Sequence, residues 1–310
     1  MNFSNPIFPS ELSELRIATR QSPLALWQAE LLKKYLETCY ENLRIVLVPM
    51  LTEGDKILNK PLRDVGGKAL FIKNIEEVLL EGGADLAVHS MKDVPADLDP
   101  RFEIAAVLPR ENPLDAFVSL KYQSLDQLPE GAQIGTSSLR RQAQLLAWRP
   151  DLKIIACRGN VQTRLNLCEK LDGIILAASG LRRLGLDNRV TQLLPPDLML
   201  SAAGQGAIGV EILSGDQFLK DLLKPINHKI SECLIQAERA MCYGLEGSCH
   251  SPIGALAEFD GREFSLMGLV AKSDGSVILR AKNYHEDPEV LGALVAEELL
   301  SQGARKYLYE

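Results

Sequence analysis

Asp93 is the residue of this chain that is best placed, by type and position, to do acid–base chemistry. It ends the run His89-Ser90-Met91-Lys92-Asp93, directly after a buried apolar strand pattern and just before Val94-Pro95. A carboxylate at such a strand end can stabilise a developing cation or move a proton. The alternative is a turn-forming aspartate ahead of a proline. His89 lies within the strand pattern and is better explained as a core histidine.

Cys249 is the candidate nucleophile because it lies in a loop, between Gly247-Ser248 and His250-Ser251-Pro252. A thiol in such a loop can be accessible and reactive. The other cysteines fall within strand or helix patterns, where Cys behaves as a small hydrophobe: Cys39, Cys157, Cys168, Cys233 and Cys242. A zinc site built from Cys233, Cys242, Cys249 and His250 matches no standard ligand spacing, so no metal is predicted. His250 is a poor base for Cys249, since adjacent side chains rarely point at each other.

The positive charge of the chain is concentrated in one segment. The net charge is −7, yet ten bases and four acids lie between Gly131 and Val190, and most of the bases are arginine. Arginine matches planar carboxylates through paired N–H groups, which favours a pocket for a small polyanion, although solvated helix faces explain part of the pattern. Aromatic side chains that could stack on bases are nearly absent there, so nucleic acid is a poor fit.

Two strand-to-helix turns within this basic segment are candidate anion sites. Thr136-Ser137-Ser138 precedes Arg140-Arg141, and Arg158-Gly159-Asn160 precedes Arg164. Free N–H groups at a helix start bind anions, although serine and threonine are also ordinary helix caps. Together the two turns predict a ligand with more than one carboxylate.

Two further segments are polar or rich in glycine. Residues 52–73 are charged and follow a strand, which suits a lid over a cleft. Gly204-Gln205-Gly206 indicates a tight backbone crossing; it lacks the strand, helix and Lys-Ser/Thr context of a phosphate loop.

The elements that must position these residues follow a repeating order of apolar strand, polar turn and amphipathic helix. This order predicts parallel sheets with ligands at the carboxyl ends of the strands. After Ile230 the pattern changes to a separate α+β domain, joined through Lys224-Pro225. With 310 residues, 46% hydrophobic and 24% charged, the chain is globular, with two or three domains. No bilayer-length apolar run or secretory signal is visible, and we expect a cytoplasmic protein with reduced thiols.

Eight stretches of the chain, taken in order, resemble the porphobilinogen deaminase (hydroxymethylbilane synthase) family. They are RIATRQSPLALWQAE, VGGKALFIK, ADLAVHSMKDVP, IGTSSLRRQAQL, CRGNVQTRL, GLRRLGL, SAAGQGAIGVE and AERAMCYGLEGSCHSPIGA. The resemblance implies an α/β fold with two lobes like those of periplasmic binding proteins and a third, smaller α+β domain. The implied domains are residues 1–110 with 203–224, residues 111–202, and residues 225–310.

The family joins four porphobilinogen molecules head to tail and releases ammonia and linear hydroxymethylbilane for haem and chlorophyll synthesis. The resemblance implies a transferase with a dipyrromethane cofactor covalently bound to Cys249 and a catalytic carboxylate at Asp93. The implied cofactor-binding residues are Ser90, Lys92, Thr136, Ser137, Ser138, Arg140, Arg141, Arg158, Gly159, Arg164 and Arg183. The implied substrate-binding residues are Arg20, Ser22, Gln28, Lys68, Phe71 and Gln205.

The chain departs from the family pattern in the lid. Asp64 occupies a position where the family usually has lysine, and Glu53 one where it often has arginine. The expected partner is porphobilinogen, with no nucleic acid, membrane or metal, and the family precedent is a monomer. The alternatives are a non-catalytic two-lobed protein that binds a small polycarboxylate and, less in keeping with the sequence, a hydrolase with a cysteine nucleophile.

Overall fold

Three β-sheets form the framework of the computed structural model, which describes residues 14–51, 72–247 and 251–308. Two sheets have five strands each and belong to two α/β lobes, and the third has three strands. The fold class expected from the sequence is therefore confirmed: two α/β lobes with a smaller α+β domain.

The sheet of lobe 1 has the strand order β2-β1-β3-β10-β4. Its strands are β1 (Glu14–Arg20), β2 (Arg44–Met50), β3 (Leu86–Ser90), β4 (Phe102–Val107) and β10 (Ile208–Leu213). β1 runs parallel to both β2 and β3, so the carboxyl ends of β1 and β3 meet at one edge. Arg20 and Ser90 end these two neighbouring strands.

The sheet of lobe 2 has the order β7-β6-β8-β5-β9. Its strands are β5 (Asp115–Val118), β6 (Gln133–Gly135), β7 (Lys153–Ile155), β8 (Gly173–Ala177) and β9 (Gln192–Leu194). β6 is parallel to β7 and β8, which places the Thr136 and Arg158 turns at the same edge. All of lobe 2 is a single excursion of the chain between β4 and β10.

The expected parallel pairing is present in both lobes, but both sheets are mixed, because one strand in each runs antiparallel to its neighbours. β10 pairs antiparallel with β3 and β4, and β5 pairs antiparallel with β8 and β9. β5 and β10 are the strands by which the chain enters lobe 2 and returns to lobe 1. They do not follow a crossover helix within their own sheet, so nothing constrains them to be parallel.

The helices cover the sheets and begin with local sequence signals. Ser22 caps the first helix by accepting a hydrogen bond from the Ala25 N–H, and Pro23 fits its first turn. Asp287 caps the last helix in the same way, ahead of Pro288. The helices are α1 (Pro23–Cys39), α2 (Lys73–Leu80), α3 (Leu139–Trp148), α4 (Val161–Leu167), α5 (Ala178–Arg183), α6 (Gln217–Leu223), α7 (Lys229–Gly244) and α8 (Pro288–Ser301).

The third domain packs α7 and α8 on an antiparallel sheet of β11 (Ile253–Phe259), β12 (Phe264–Ala271) and β13 (Ile278–His285). Its core is aliphatic, with Met241, Val295 and Leu299 fully buried. The turn between β12 and β13 lies against α3 of lobe 2, where the Gln142 side-chain amide donates to the Ser273 carbonyl at 3.1 Å. No helix within residues 14–51, 72–247 and 251–308 is long and apolar enough to cross a membrane.

Candidate active site

Asp93 lies where two cavities meet. It ends a 3-10 turn (Met91–Asp93) that follows β3, and the Val94 N–H closes this turn on the Met91 carbonyl at 3.2 Å. The side chain is half-buried and lines both cavities. Among the sequence-predicted site residues that the structure describes, Asp93 alone borders the two.

The first cavity measures about 910 Å³ and opens to solvent between the lobes and the third domain. The predicted residues on its wall are Lys92, Asp93, Ser138 and Arg140. Gly247 and Ser251 also line it, and they flank residues 248–250 on either side. Cys249 itself lies outside the described residues, as do Glu53, Asp64, Lys68 and Phe71.

The second cavity, about 400 Å³, lies at the edge of lobe 1 where β1 and β3 end. The predicted residues that line it are Arg20, Ser22, Gln28, Ser90 and Asp93. The Gln28 side-chain amide donates to the Ser90 hydroxyl at 2.8 Å and fixes both side chains. One wall of this cavity thus carries a guanidinium group, an amide and hydroxyls, which are groups that bind carboxylates.

Asp115, which sequence reasoning missed, organises the arginines beside the first cavity. Its fully buried carboxylate accepts hydrogen bonds from Arg140 at 2.8 Å and from Arg141 at 2.6 and 3.1 Å. The Gln205 amide donates to it at 2.9 Å. Burial alone would raise the pKa of Asp115, but the two guanidinium groups hold it well below its usual range.

Two cations against one carboxylate leave this cluster with a net positive charge. Arg140 Nε is buried and has no hydrogen-bond partner within the described residues. Because Arg140 also lines the first cavity, the excess charge lies at its wall. A buried N–H without a partner, in a cluster with one excess positive charge, favours an anionic ligand beside it.

Lys92 adds a further cation to the same wall. Burial lowers its pKa to about 8, and the neighbouring Asp93 acts in the opposite direction. Near neutral pH the ammonium group is therefore still charged, but its charge is lost at a lower pH than that of an exposed lysine.

The second predicted anion turn lies behind this wall. Asn160 caps α4, and Arg164 Nε donates to the Gly159 carbonyl at 2.9 Å. Gly159 has a φ of +95°, a conformation that favours glycine. Burial lowers the pKa of Arg164, which is also affected by the nearby Arg141. Arg158 is half-buried next to this turn.

Several predicted residues are bonded within the protein and line neither cavity. The Ser137 hydroxyl donates to the Cys157 carbonyl at 3.0 Å and accepts from the Cys157 N–H at 3.0 Å. The Thr136 hydroxyl accepts from the Ser138 N–H. Arg183 donates to the Gly206 carbonyl at 2.6 Å and lies over the Trp27 ring, 5.8 Å from its centroid. Burial lowers the pKa of Arg183 to about 10.

Cys242 lies on the wall of the first cavity and His89 on the wall of the second. Cys242 lines the first cavity, but burial raises the pKa of its thiol to about 12, so it does not compete as a thiolate. His89 is buried with Nε2 at 2.9 Å from Glu211 Oε2, which confirms it as a core histidine. No cluster in the described ranges has three or more metal-ligating side chains.

The fold and site together define a class: a two-lobed α/β protein with a cationic cleft and a carboxylate at its centre. Two family models identify the member of that class. The porphobilinogen deaminase dipyromethane cofactor binding domain matches residues 15–221, and the porphobilinogen deaminase C-terminal domain matches residues 233–301. The chain belongs to the porphobilinogen deaminase family.

Membership makes the chain a hydroxymethylbilane synthase, a transferase of tetrapyrrole biosynthesis that acts on porphobilinogen with a dipyrromethane cofactor. The alternatives of a non-catalytic binding protein and of a hydrolase are thereby set aside.

Solved structures with a similar backbone are two-lobed binding proteins. A putative methionine-binding lipoprotein from Bacillus subtilis is 14% identical, with a TM-score of 0.43 over 72% of this chain and 94% of that one. A nutrient-binding protein from Burkholderia cenocepacia, bound to methionine, is 14% identical, with a TM-score of 0.44 over 72% and 95%. The methionine-binding protein MetQ is 13% identical, with a TM-score of 0.46 over 72% and 93%.

Proposed function

We propose that Asp93 is the catalytic carboxylate, serving a growing chain in the first cavity and an incoming porphobilinogen in the second. The observation that carries this proposal is the position of Asp93 on the walls of both cavities. A bond between two pyrroles must form where their sites meet, and Asp93 is the charged group at that junction.

The first cavity fits the dipyrromethane cofactor, whose acetate and propionate side chains carry four negative charges. The Arg140 guanidinium with its unpartnered Nε, the Lys92 ammonium and the Ser138 N-cap supply matching donors. We assign the covalent link to Cys249, since both described neighbours of residues 248–250, Gly247 and Ser251, line this cavity. When bound, the cofactor supplies the nucleophilic pyrrole carbon to which the first substrate is joined.

The second cavity is assigned to porphobilinogen. Arg20 offers a guanidinium group for its acetate or propionate, and Ser22, Gln28 and Ser90 offer polar groups beside it. The Gln28–Ser90 hydrogen bond holds two of these side chains in place before substrate arrives, which lowers the entropic cost of orienting it.

Asp93 has an electrostatic task in this arrangement. The carbon–nitrogen bond of the protonated aminomethyl group breaks with its electron pair going to nitrogen, and ammonia leaves. The positive charge that remains spreads over the substrate pyrrole and its N–H. A carboxylate oxygen of Asp93 accepts a hydrogen bond from that N–H and stabilises the charge until the new carbon–carbon bond has formed and the attacking pyrrole carbon has released its proton.

The remaining predicted residues are assigned supporting roles. Arg141, Arg158, Arg164 and Arg183 add positive charge around the cleft. Thr136, Ser137, Gly159 and Gln205 are bonded within the protein and support its walls. The domain boundaries stay as predicted from the sequence, at residues 1–110 with 203–224, 111–202 and 225–310. We further propose that the enzyme is a cytoplasmic monomer. Light scattering at assay concentration tests the monomeric state.

Asp93→Asn tests the catalytic assignment. We expect the variant to keep its fold and its cofactor, seen as excess intact mass, while turnover falls by about 10²- to 10⁴-fold. Asp99→Asn is a matched control, because Asp99 is an acid of the same segment that is paired with Arg101 and lines neither cavity. Near-normal turnover in Asp93→Asn would overturn the assignment.

Cys249→Ser tests the attachment site separately. An alcohol is a much poorer nucleophile than a thiolate, so the variant should lack the excess mass of two linked pyrroles and should not gain it with porphobilinogen. Excess mass mapped to another peptide would place the attachment elsewhere.

A further inference from the structure

Helix α7 joins the Asp93 turn to the segment that leads to Cys249. Near the middle of α7, Ile235 packs in one apolar cluster with Met91 and Val94, which flank the Asp93 turn. One helical turn later, Arg239 reaches the backbone just beyond Asp93. The helix ends at Gly244, and Gly247 already lines the first cavity. Helix α7 thus contacts the Asp93 turn directly and ends three residues before Gly247 on the cavity wall.

Arg239 is a half-buried cation that is bonded to backbone carbonyls. It donates to the Val94 carbonyl at 3.2 Å and to the Ala96 carbonyl at 3.4 Å. Burial lowers its pKa, so the guanidinium is held away from water at a cost in solvation free energy. The preceding residue, Glu238, forms a buried ion pair with Arg110, whereas no carboxylate lies within hydrogen-bond distance of Arg239 in the described part of the chain.

The two bonded carbonyls lie on either side of Pro95. Proline has no N–H and a fixed φ, so this stretch is limited in the backbone hydrogen bonds that can hold it. The planar fork of arginine spans two carbonyl oxygens at once, which the compact ammonium of lysine does less well. Arg239 therefore fixes the exit of the turn that carries Asp93, and it lines the first cavity beside Asp93.

We propose that Arg239 is a positioning residue that holds the Asp93 turn in a fixed position against α7. This inference rests on the assignment of Asp93 as the catalytic carboxylate. Its guanidinium N–H groups are bonded to the carbonyls of Val94 and Ala96, so Arg239 acts on Asp93 through this backbone. Its loss lets the Asp93 turn move relative to α7, while the arginines and Lys92 that bind carboxylates stay where they are.

Three full-length variants test the proposal: Arg239→Met, Arg239→Lys and, as the matched control, Arg280→Met. Arg280 is also an arginine of the third domain that donates to a lobe carbonyl, that of Asp197 at 2.9 Å, but it does so far from Asp93 in the sequence and lines neither cavity. The readouts are intact mass, kcat per cofactor-loaded molecule, KM, and hydrogen exchange of the backbone amides in residues 91–97.

For Arg239→Met we expect faster exchange in residues 91–97 and a kcat lowered about 10- to 100-fold, since small misplacement of a reacting group costs that much. KM should stay within about twofold, because carboxylate binding is untouched. Arg239→Lys should recover part of both losses, and Arg280→Met should match the parent in exchange and kcat.

Unchanged exchange in Arg239→Met would overturn the proposal, as would a rise in KM that accounts for the whole loss in kcat/KM. Faster exchange with normal kcat would also overturn it. In that last case Asp93→Asn shows where the error lies: normal turnover there means that the assignment of Asp93 is wrong, and lost turnover means that only the positioning role of Arg239 is wrong.

Discussion

The buried ion pair between Glu238 and Arg110 should be the largest single electrostatic contribution to holding the third domain on the lobes. The Glu238 carboxylate is fully buried and accepts two hydrogen bonds from Arg110, at 2.7 and 3.2 Å. It also accepts from the Gly204 N–H at 2.7 Å and from the Ala257 N–H at 2.8 Å. One side chain of the third domain thereby satisfies donors on both segments that link the lobes.

Glu238→Gln keeps the shape of the side chain but removes its charge and turns an amide NH₂ towards existing donors. Breaking a buried pair by removing one partner costs about 3–5 kcal/mol, since the other charge is left uncompensated. At an m-value of about 3 kcal/mol/M, the urea midpoint should fall by about 1–1.7 M.

Urea titration followed by far-ultraviolet circular dichroism measures this shift. Asp99→Asn, which breaks an exposed pair with Arg101, serves as the control and should leave the midpoint unchanged. The double variant Arg110→Met with Glu238→Gln should lose less stability than the sum of the losses in Arg110→Met and Glu238→Gln alone, because no buried charge remains unpaired. A Glu238→Gln midpoint equal to that of the control would refute the reasoning, and so would a double variant whose loss is the sum of the single losses.

Three other predictions follow from titration and backbone geometry. Burial and the nearby Glu211 raise the pKa of Glu76 to about 7, so the folded protein holds a proton that the unfolded chain releases from about pH 4.5 upwards. Unfolding free energy should therefore fall between about pH 4.5 and 7, and this slope should be shallower in Glu76→Gln when urea midpoints are compared across that range. The Lys92 pKa of about 8 predicts that kcat/KM declines above pH 8 as the ammonium loses its charge. The arginine of Lys92→Arg stays charged, so this variant should show a flatter pH–rate profile. An identical decline in both proteins would contradict the role of Lys92. Gly206 has a φ of +87°, and a Cβ there would overlap the Glu111 carbonyl, so Gly206→Ala should lower unfolding free energy by about 1–3 kcal/mol in the urea assay.

The sequence was most informative where local chemistry decides the structure. The strand, turn and helix order placed Asp93 and the Thr136 turn at strand ends, because a buried apolar run followed by polar residues marks such an end. Strand direction was beyond that reasoning. β10 pairs with β3, more than a hundred residues earlier in the chain, and period-two patterning is the same for parallel and antiparallel neighbours.

The residues that sequence reasoning missed act through distant partners. The sequence around Asp115 is typical of an ordinary acid after a turn. In the structure Asp115 starts a wholly buried strand, Asp115–Val118, and binds two arginines from α3. The one available signal was a charge at the head of the apolar run Ala116-Phe117-Val118. Arg239 gave no signal, because an arginine on a helix is usually solvated and only the packing of α7 brings it against the Val94 and Ala96 carbonyls.

The connection between the lobes limits how the cleft can move. Two segments link the lobes, and they cross side by side: Glu111 N–H donates to the Gly206 carbonyl at 3.0 Å, and Leu108 N–H to the Ile208 carbonyl at 3.0 Å. Two adjacent, hydrogen-bonded segments of this kind allow the lobes to bend towards or away from each other but oppose rotation of one lobe against the other. Glu238 binds Arg110 on one segment and the Gly204 N–H on the other, so a side chain of the third domain ties the two segments together. Any opening of the cleft therefore carries the third domain with it or breaks the bonds of Glu238.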